Sequence, residues 1–144
     1  MKYDAENIIG PERIERLAFF VPGTPVQQGS KTVFRSRPVD ANAKTLKPWR
    51  KKVTETAKAE LAGRAGFAKD AAIVVLYTFY LKLPKTVKRR EPNVRPDLDK
   101  LERAIGDALT DAGVWVDDGQ VVVSHTAKEY ADFPGVKIVV TELA

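Results

Sequence analysis

The chain has 144 residues, of which 44% are hydrophobic and 30% charged, so it is long enough to bury a core in one domain, and an intrinsically disordered chain is excluded. The absence of cysteine excludes a disulfide framework and a thiolate metal site. Its 24 Lys and Arg residues against 19 Asp and Glu give a net charge of +5, which favours polyanionic partners.

The first residues and the apolar runs of the chain bear on where the protein is expected to reside. Residues 1–14 are rich in charge and lack the apolar core of a signal peptide, and we expect them to be a flexible extension of a single domain that spans residues 1–144. The longest apolar run, Ala71 to Leu81, is shorter than the roughly 20 residues that a membrane-spanning helix needs. We therefore expect a cytoplasmic protein with no membrane contact.

The first elements in the chain are a predicted strand and a loop. The apolar segment Arg16–Gly23 is typical of a short buried strand that ends at a Pro-Gly pair. Residues 24–38 predict a loop, in which Lys31 and Arg35 could contact phosphate groups.

Residues 45–66 predict a helix with a basic outer face. Pro48 suits the first turn of a helix, and Gly63 and Gly66 mark its end. Trp49 is surrounded by five Lys and Arg residues between positions 44 and 52, where it could stack on a base, although packing in the core is the simpler interpretation.

A second strand and a basic loop follow this helix. Residues 71–83 are rich in β-branched and aromatic residues, which predicts a central strand. The segment from Lys82 to Arg95 then carries six basic residues and one acidic residue. Such a cluster is typical of a surface that binds a nucleic-acid backbone, although it could also be a solvated face. The residues expected to contact DNA here and just beyond are Lys85, Lys88, Arg89, Arg90, Arg95 and Lys100.

The last third of the chain predicts one amphipathic helix and two or three strands. Apolar residues from Leu98 to Ala112 keep helical spacing, Pro96 favours a start just after it, and Gly113 suits the helix end. The predicted strands are residues 114–116, 120–131 and 135–143, with turns at Asp118-Gly119 and Pro134-Gly135. The order β, α, β, α, β, β indicates an α+β fold, a small mixed sheet covered by two helices.

Seven acidic residues lie between Arg95 and Gln120 in a chain whose net charge is positive. Two pairs stand close together: Asp97 with Asp99 at the predicted start of the helix, and Asp117 with Asp118 beyond its end. If Asp97 precedes the helix in an extended conformation and Asp99 lies in the first turn, their carboxylates can converge.

These acidic residues have two interpretations. As structural residues they would cap the helix, form ion pairs along its surface and make a tight turn. As a site they would hold Mg²⁺, which takes oxygen ligands and leaves positions for water and a phosphate. A phosphodiester held by the basic loop could then be attacked by metal-bound water. The residue types alone leave both interpretations open. We expect Glu102 and Asp111 to be solvated helix residues and His125 to be structural.

The stretch "RPDLDKLERAIGDALTDAGVWVDDGQV", which begins at Arg95, resembles the signature of the RusA-type Holliday junction resolvases, small dimeric endonucleases common in phages and prophages. An Asp-x-Asp opens a helix, Asp-Ala-Leu follows, and Val-Trp precedes Asp-Asp. The segment "VPGTPVQQGSK" after the first strand is also similar, more weakly. The resemblance implies a RusA-like fold and Mg²⁺ as cofactor, with Mn²⁺ as a substitute. It also implies that Asp97, Asp99 and Asp118 are the catalytic metal ligands, with Asp117 beside them.

Two positions depart from the family's pattern. The Lys that the family commonly carries four residues after the second Asp is Arg103 here, and its frequent Asn directly after that Asp is Lys100. Arg103 keeps a positive charge near the scissile phosphate, but a guanidinium does not readily donate a proton. We therefore expect Arg103 to be catalytic through its charge.

The expected function is that of a Mg²⁺-dependent, structure-selective endodeoxyribonuclease that resolves Holliday junctions and other branched DNA by paired cleavage, in DNA recombination and repair. We expect a homodimer, because two-fold symmetry presents identical sites to opposing strands. We expect no small-molecule cofactor, and a bacterial host cell or its phage as the source. The alternative is a non-catalytic basic DNA-binding domain whose acidic cluster is only structural; metal-dependent DNA cleavage separates the two.

Overall fold

A four-stranded sheet with two helices on one face forms the body of the protein. The computed structural model describes residues 12–29, 31–34, 37–40 and 43–144. The strands are β1 (Arg16–Pro22), β2 (Lys31–Phe34), β3 (Arg37–Asp40), β4 (Ile73–Leu81), β5 (Val121–Tyr130) and β6 (Gly135–Glu142), and the helices are α1 (Ala43–Leu61) and α2 (Leu98–Ala112).

The strand order in the sheet is β1-β6-β4-β5, and β2 pairs with β3 in a separate hairpin. Strand β4 lies between two partners, antiparallel to β6 and parallel to β5. Helix α2 connects the parallel pair, as such a crossover requires. The predicted α+β fold with a mixed sheet and two helices is confirmed, and so is the central position of the second predicted strand.

The core lies between the helices and the inner face of the sheet. Alternate residues of β4, from Ile73 to Leu81, are buried, as the pleat of a strand dictates. Helix α2 buries one stripe, and Gly113, with φ 80°, ends it in the left-handed conformation. The predicted apolar face of this helix is confirmed, with Leu98 half-buried at its edge and the following residues fully buried: Leu101, Ala104, Ile105, Ala108, Leu109 and Ala112.

Within the described part of the chain, no helix covers the outer face of the sheet. Phe20 and Leu76 are 44% and 41% exposed there, although both are large apolar residues. The rings of Phe20 and Tyr80 lie 6.2 Å apart between their centroids. Phe20, Leu76 and Tyr80 are the large apolar residues that define this outer face.

Three sequence predictions about the connections are wrong. Residues 24–38 were expected in a loop, but residues 31–34 and 37–40 form the β2–β3 hairpin, in which Thr32 pairs with Val39. Residues 114–116 were expected as a strand, but Val114 and Trp115 are buried in the connection after α2, where the Trp115 indole donates to the Thr110 hydroxyl at 2.7 Å. Burial against neighbouring elements, not strand pairing, accounts for these apolar residues.

The third wrong prediction concerns Asp118-Gly119, which was expected to be a hairpin turn. Because residues 114–116 form no strand, no hairpin leads into β5, and Asp118–Gln120 instead forms one short 3₁₀ turn before it. Pro134-Gly135 does lie in the connection between β5 and β6, which run in opposite directions but are separated in the sheet by β4.

Helix α1 begins before its predicted first residue. It starts at Ala43, so Pro48 lies in its interior and not in its first turn as expected. A proline there removes one hydrogen bond of the helix. Trp49 is only 5% exposed, which confirms the packing interpretation of its ring.

Of the predicted N-terminal extension, residues 1–11 lie outside the described residues. Arg13 forms an isolated bridge with Ala65, and Ile14 is buried in the core. Among the described residues, none of the helices has the length and apolarity to cross a membrane.

Candidate active site

Asp97 precedes helix α2 without capping it through its side chain. Its backbone is extended (φ −74°, ψ 135°), as predicted, but its carboxylate accepts no hydrogen bond from the first turn. The carboxylate lies 3.3 Å from the ammonium of Lys100. Asp99, in the first turn, is exposed and lies 4.0 Å from the guanidinium of Arg103. Each carboxylate of this pair therefore has a cation of the same helix beside it, and the capping interpretation of the Asp97 side chain is wrong.

The loop after β1 fixes the start of α2. The side-chain oxygen of Gln27 accepts a hydrogen bond from the N–H of Asp97 at 2.8 Å. The N–H of Gln28 donates to the carbonyl of Lys100 at 3.0 Å, and its side-chain amide donates to Asp107 at 2.8 Å. Because the N–H groups at a helix start lack intrahelical acceptors, Gln27 supplies one at the residue that leads into the helix. This loop therefore positions Asp97.

Asp117 and Gln120 build the turn before β5. The Asp117 carboxylate accepts a hydrogen bond from the N–H of Gly119 at 3.2 Å, and the side-chain oxygen of Gln120 accepts from the N–H of Asp117 at 3.1 Å. The side-chain amide of Gln120 donates to the carbonyl of Ala68 at 2.8 Å, which ties the turn to the segment before β4. Asp117 therefore does have the structural role of a capping residue.

Asp118 carries a charge that the fold does not neutralise. The pKa of its carboxyl is raised above the ordinary value, first because a hydrogen bond with the Asp117 carboxyl favours the protonated form. Partial dehydration and the negative charges of Asp117 and Asp107 raise it further, while the N–H of Gly119 opposes them. Among the described residues, no Lys, Arg or His forms an ion pair with Asp117 or Asp118. A cation from outside the protein would relieve this repulsion.

Asp118 lines a cleft between α2 and the sheet. The cleft encloses ≈ 160 Å³, and its polar wall consists of Glu102, Arg103 and Asp118, next to Gly106. A Cβ at Gly106 would meet no atom within 4 Å, so the cleft is open where this residue has no side chain. The apolar floor is formed by Val75, Tyr77, Trp115 and Val121. We call this candidate site the active-site cleft.

Glu102 belongs to this cleft, and the prediction that it is a solvated helix residue is wrong. Its carboxylate accepts a hydrogen bond from the hydroxyl of Ser124, which lies 2.9 Å from the hydroxyl of Thr126. Burial raises the pKa of Tyr77, and the negative charge of Glu102 adds to that shift. The sequence did contain a signal for the position of Glu102. Glu102 and Arg103 follow Asp99 by three and four residues, and residues at these spacings lie on the same face of a helix.

The structure brings only part of the predicted metal site together. Arg103 lines the active-site cleft with Asp118 and also lies beside Asp99, so it links the two acidic pairs. In the part of the chain that the structure describes, no group of three or more His, Asp or Glu side chains lies close enough to hold a metal ion. The predicted ligands Asp97, Asp99, Asp117 and Asp118 thus lie as two pairs, and their role in metal binding stays a prediction.

The predicted DNA-binding residues lie mostly on the loop after β4. Arg89 is exposed and donates to the hydroxyl of Tyr130 at 2.9 Å. Lys31 lies in β2, and Arg35 lies outside the described residues. The remaining ones on the loop have exposed side chains: Lys85, Lys88, Arg90 and Arg95.

Sequence reasoning missed Lys128, which braces the entry to α2. Its ammonium donates to the carbonyls of Val94 and Pro96 at 2.6 Å and 2.7 Å. Alternation along β5 places Lys128 on the same face of the sheet as Ser124, beneath α2. The interval of 32 residues between Lys128 and Pro96 gives no local signal. His125, on the opposite face of β5, is exposed and is not among the residues that line the active-site cleft.

Comparison with known protein families shows which family the chain belongs to. A family model described as "Endodeoxyribonuclease RusA" matches residues 22–141, which include both acidic pairs, the basic loop and the active-site cleft. The chain belongs to the RusA endodeoxyribonuclease family. The predicted resemblance to RusA-type Holliday junction resolvases is therefore confirmed, and this RusA-family protein is an endodeoxyribonuclease. A search of curated proteins found no match.

Proposed function

We propose that this RusA-family nuclease cuts four-way junctions and other branched DNA in a reaction that depends on a divalent cation, at the active-site cleft. The observation that carries the proposal is the presence of Asp118 and Arg103 in the lining of one cleft, where a carboxylate whose pKa is raised by its acidic neighbours shares the wall with a guanidinium. The alternative of a non-catalytic DNA-binding domain is not favoured, because the chain belongs to a nuclease family.

The proposed ligands of the cation are Asp97, Asp99 and Asp118, with Asp117 as a further oxygen donor. Carboxylate oxygens are the donors that Mg²⁺ and Mn²⁺ prefer, so the residues fit in their chemistry. When bound, Mg²⁺ supplies polarisation of the phosphate and a water of lowered pKa. Binding by all three requires the pair at the start of α2 to approach Asp118.

Arg103 is the proposed phosphate-binding residue. Its side chain is about half exposed and lies 4.0 Å from Asp99, at the upper limit for an ion pair. A loose pair leaves the guanidinium able to donate to phosphate oxygens, which are strong and bidentate acceptors for Arg. The exposed cations of the basic loop hold the DNA backbone, so binding should weaken steeply as salt rises.

Paired cleavage requires two active sites, and we propose that two copies of the chain pair through the outer face of the sheet. Phe20 and Leu76 give this face the apolar character of an interface core. In a two-fold pair, the same surface of both copies is used. Leu76→Lys should convert the dimer to a monomer in sedimentation measurements; an unchanged dimer would place the interface elsewhere.

One set of reactions tests the proposed activity. A supercoiled plasmid that extrudes a cruciform becomes linear if both opposing strands are cut and becomes an open circle if only one is cut. The same protein is incubated with a four-way junction and with linear duplex of matching sequence, with and without Mg²⁺. We expect Mg²⁺-dependent linear product and cleavage of the junction alone.

Asp118→Asn is the variant that tests the cation site. It should lose cleavage by orders of magnitude while junction binding persists, because Asn keeps the shape but not the charge. Asp111→Asn, in the same acidic stretch but paired with Arg50 at 3.2 Å, is the matched control and should cleave as wild type. Mg²⁺ should also raise the melting temperature of wild type more than that of Asp118→Asn, since a ligand of the folded state stabilises it. Full activity in Asp118→Asn would disprove the assignment.

A further inference from the structure

A second cleft lies at the start of α2, between the basic loop and the end of β5. It encloses ≈ 250 Å³, and we call it the proline cleft, because Pro25, Pro84, Pro92 and Pro96 line it together with the ring of Tyr130. Rings of this kind present fixed surfaces, since proline has almost no freedom to rearrange. A rigid, mainly apolar cleft suits a rigid ligand with an apolar face.

The charge around the proline cleft has one sign. Lys82, Arg89 and Arg95 line it, and none of the described residues that line it is acidic. The ligand that fits therefore carries negative charge next to its apolar part.

Two long-range contacts hold the walls in place. The guanidinium of Arg89 donates to the hydroxyl of Tyr130 at 2.9 Å, which joins the basic loop to the end of β5. The ammonium of Lys128 donates to the carbonyls of Val94 and Pro96, at 2.6 Å and 2.7 Å, beneath the opposite wall. The cleft is therefore braced before any ligand enters, which lowers the entropic cost of binding.

The position of the proline cleft ties it to the active site. Pro96 lines it, and the next residue in the chain is Asp97. Gln27, two residues after Pro25, accepts the hydrogen bond of the Asp97 N–H at 2.8 Å. Anything held in this cleft lies next to the start of α2.

We propose that the proline cleft binds an unpaired nucleobase of the branched DNA, beside the phosphodiester that is cut. A nucleobase is flat, stacks on aromatic and apolar rings, and has phosphates on both sides for Lys and Arg to contact. Bases at a branch point have lost a stacking neighbour, so moving one into a pocket costs less than extracting it from a duplex. The inference rests on the proposed function and adds to it a site that recognises the branch point through one of its bases.

A double-mutant cycle tests the pocket: one change is a substitution in the protein, and the other is the removal of one base from the DNA. Four-way junctions are made with an abasic nucleotide at each position next to the crossover, and affinities are measured by gel shift without divalent cations. Wild type should bind one of these abasic junctions about tenfold more weakly than the intact junction, the loss typical of one stacked base. Tyr130→Ala should bind the intact junction about tenfold more weakly and show no further loss on that abasic junction.

Two more variants keep the test decisive. Tyr130→Phe keeps the ring but not the hydroxyl that holds Arg89, and should lose less affinity than Tyr130→Ala. Val94→Trp fills the cleft from an exposed position and should also abolish the difference between intact and abasic junctions, even if Tyr130→Ala were poorly folded. If the abasic nucleotide weakens binding by the same factor in Tyr130→Ala and in Val94→Trp as in wild type, the proline cleft does not bind that base. This result would overturn the pocket while wild type still cleaves junctions. A wild-type protein that cleaves no junction in Mg²⁺ would overturn the proposed function, and the pocket with it.

Discussion

The two acidic pairs of the candidate active site, Asp97 with Asp99 and Asp117 with Asp118, differ in how their charge is balanced. At the start of α2, Asp97 and Asp99 each have a cation of their own helix within 3.3 Å and 4.0 Å. At the turn before β5, the Asp118 carboxyl shares a hydrogen bond with Asp117, which raises its pKa. Cations of the protein therefore lie beside Asp97 and Asp99, whereas the negative charges of Asp117 and Asp118 repel each other.

The two carboxylates of the turn pair also differ from each other in their local contacts. Asp117 accepts a hydrogen bond that shapes its turn, whereas the charge of Asp118 faces the negative charges of Asp117 and Asp107. Protein sequences retain unfavourable contacts mainly where function requires them. Asp118 is therefore the carboxylate whose charge most needs an explanation outside the fold, and a bound cation would supply one.

The largest expected effect tests whether the two pairs act as one unit. Asp97→Asn and Asp118→Asn should each lower single-turnover cleavage of a four-way junction by about a hundredfold or more, and the double variant should be no slower than the worse single one. If both residues bind one cation, removing either ligand already removes the contribution of that cation, so the second substitution causes no further loss of cleavage. Multiplied losses in the double variant would show that the pairs act separately. Gel shifts on the same junction serve as the control for binding.

The next effect concerns the helix that carries both Asp99 and Arg103. Leu101→Ala should lower the free energy of unfolding by about 2–5 kcal/mol, because the side chain is fully buried. Arg103→Ala should change it by no more than about 0.5 kcal/mol, as exposed positions do, but should reduce cleavage. Urea unfolding measures both. A loss in Arg103→Ala equal to that in Leu101→Ala would mean that Arg103 supports the fold.

Gln27→Ala should disturb the helix-start pair and leave the turn pair unchanged. Losing the acceptor for the Asp97 N–H should cost about 0.5–2 kcal/mol, as the loss of a helix cap does. Cleavage should fall more in Gln27→Ala than in Gln27→Glu, which keeps an acceptor oxygen at that position. Unchanged cleavage in Gln27→Ala would show that this loop stabilises the helix without positioning Asp97.

The smallest effect is a pH dependence that only the turn pair should show. A raised folded-state pKa means that ionised Asp118 destabilises the fold above that pKa, and that this cost disappears as pH falls through it towards the ordinary value of about 3.9. Asp118→Asn should therefore be more stable than wild type at neutral pH, by at most about 0.5 kcal/mol, with no difference at low pH. Asp97→Asn should show no such gain, because it leaves Lys100 without its partner. Thermal melts between pH 3 and pH 7 measure this, and a less stable Asp118→Asn at pH 7 would contradict the repulsion.

The elements with local signals were predictable from the sequence. Helix α2 has its own apolar period, a proline before its start and Gly113 at its end, so its bounds and buried face follow from neighbours in the chain. The β2–β3 hairpin was not predictable in this way, because strands of four residues are too short to establish an alternating pattern.

The candidate site was predictable in its residue types but not in its contacts. The motif and the family resemblance pointed to the four aspartates and Arg103. Glu102 and Lys128 remained unrecognised, because their partners Ser124 and Pro96 come from distant parts of the chain. The parallel pairing of β4 with β5 brings these distant segments together, and no local pattern encodes such a pairing.

The place of β6 in the sheet determines when a newly synthesised chain can fold. This strand lies between β1 and β4, although it follows both in the chain, and it pairs Arg16 with Thr141. Until residues 135–142 have left the ribosome, β1 and β4 have no partner that can join them, and each presents an unpaired edge. Pairings so distant in sequence also slow folding, since a long loop must close before they form. A growing chain should therefore stay without a complete sheet until synthesis passes β6, and a chain cut short before Gly135 should be prone to aggregation.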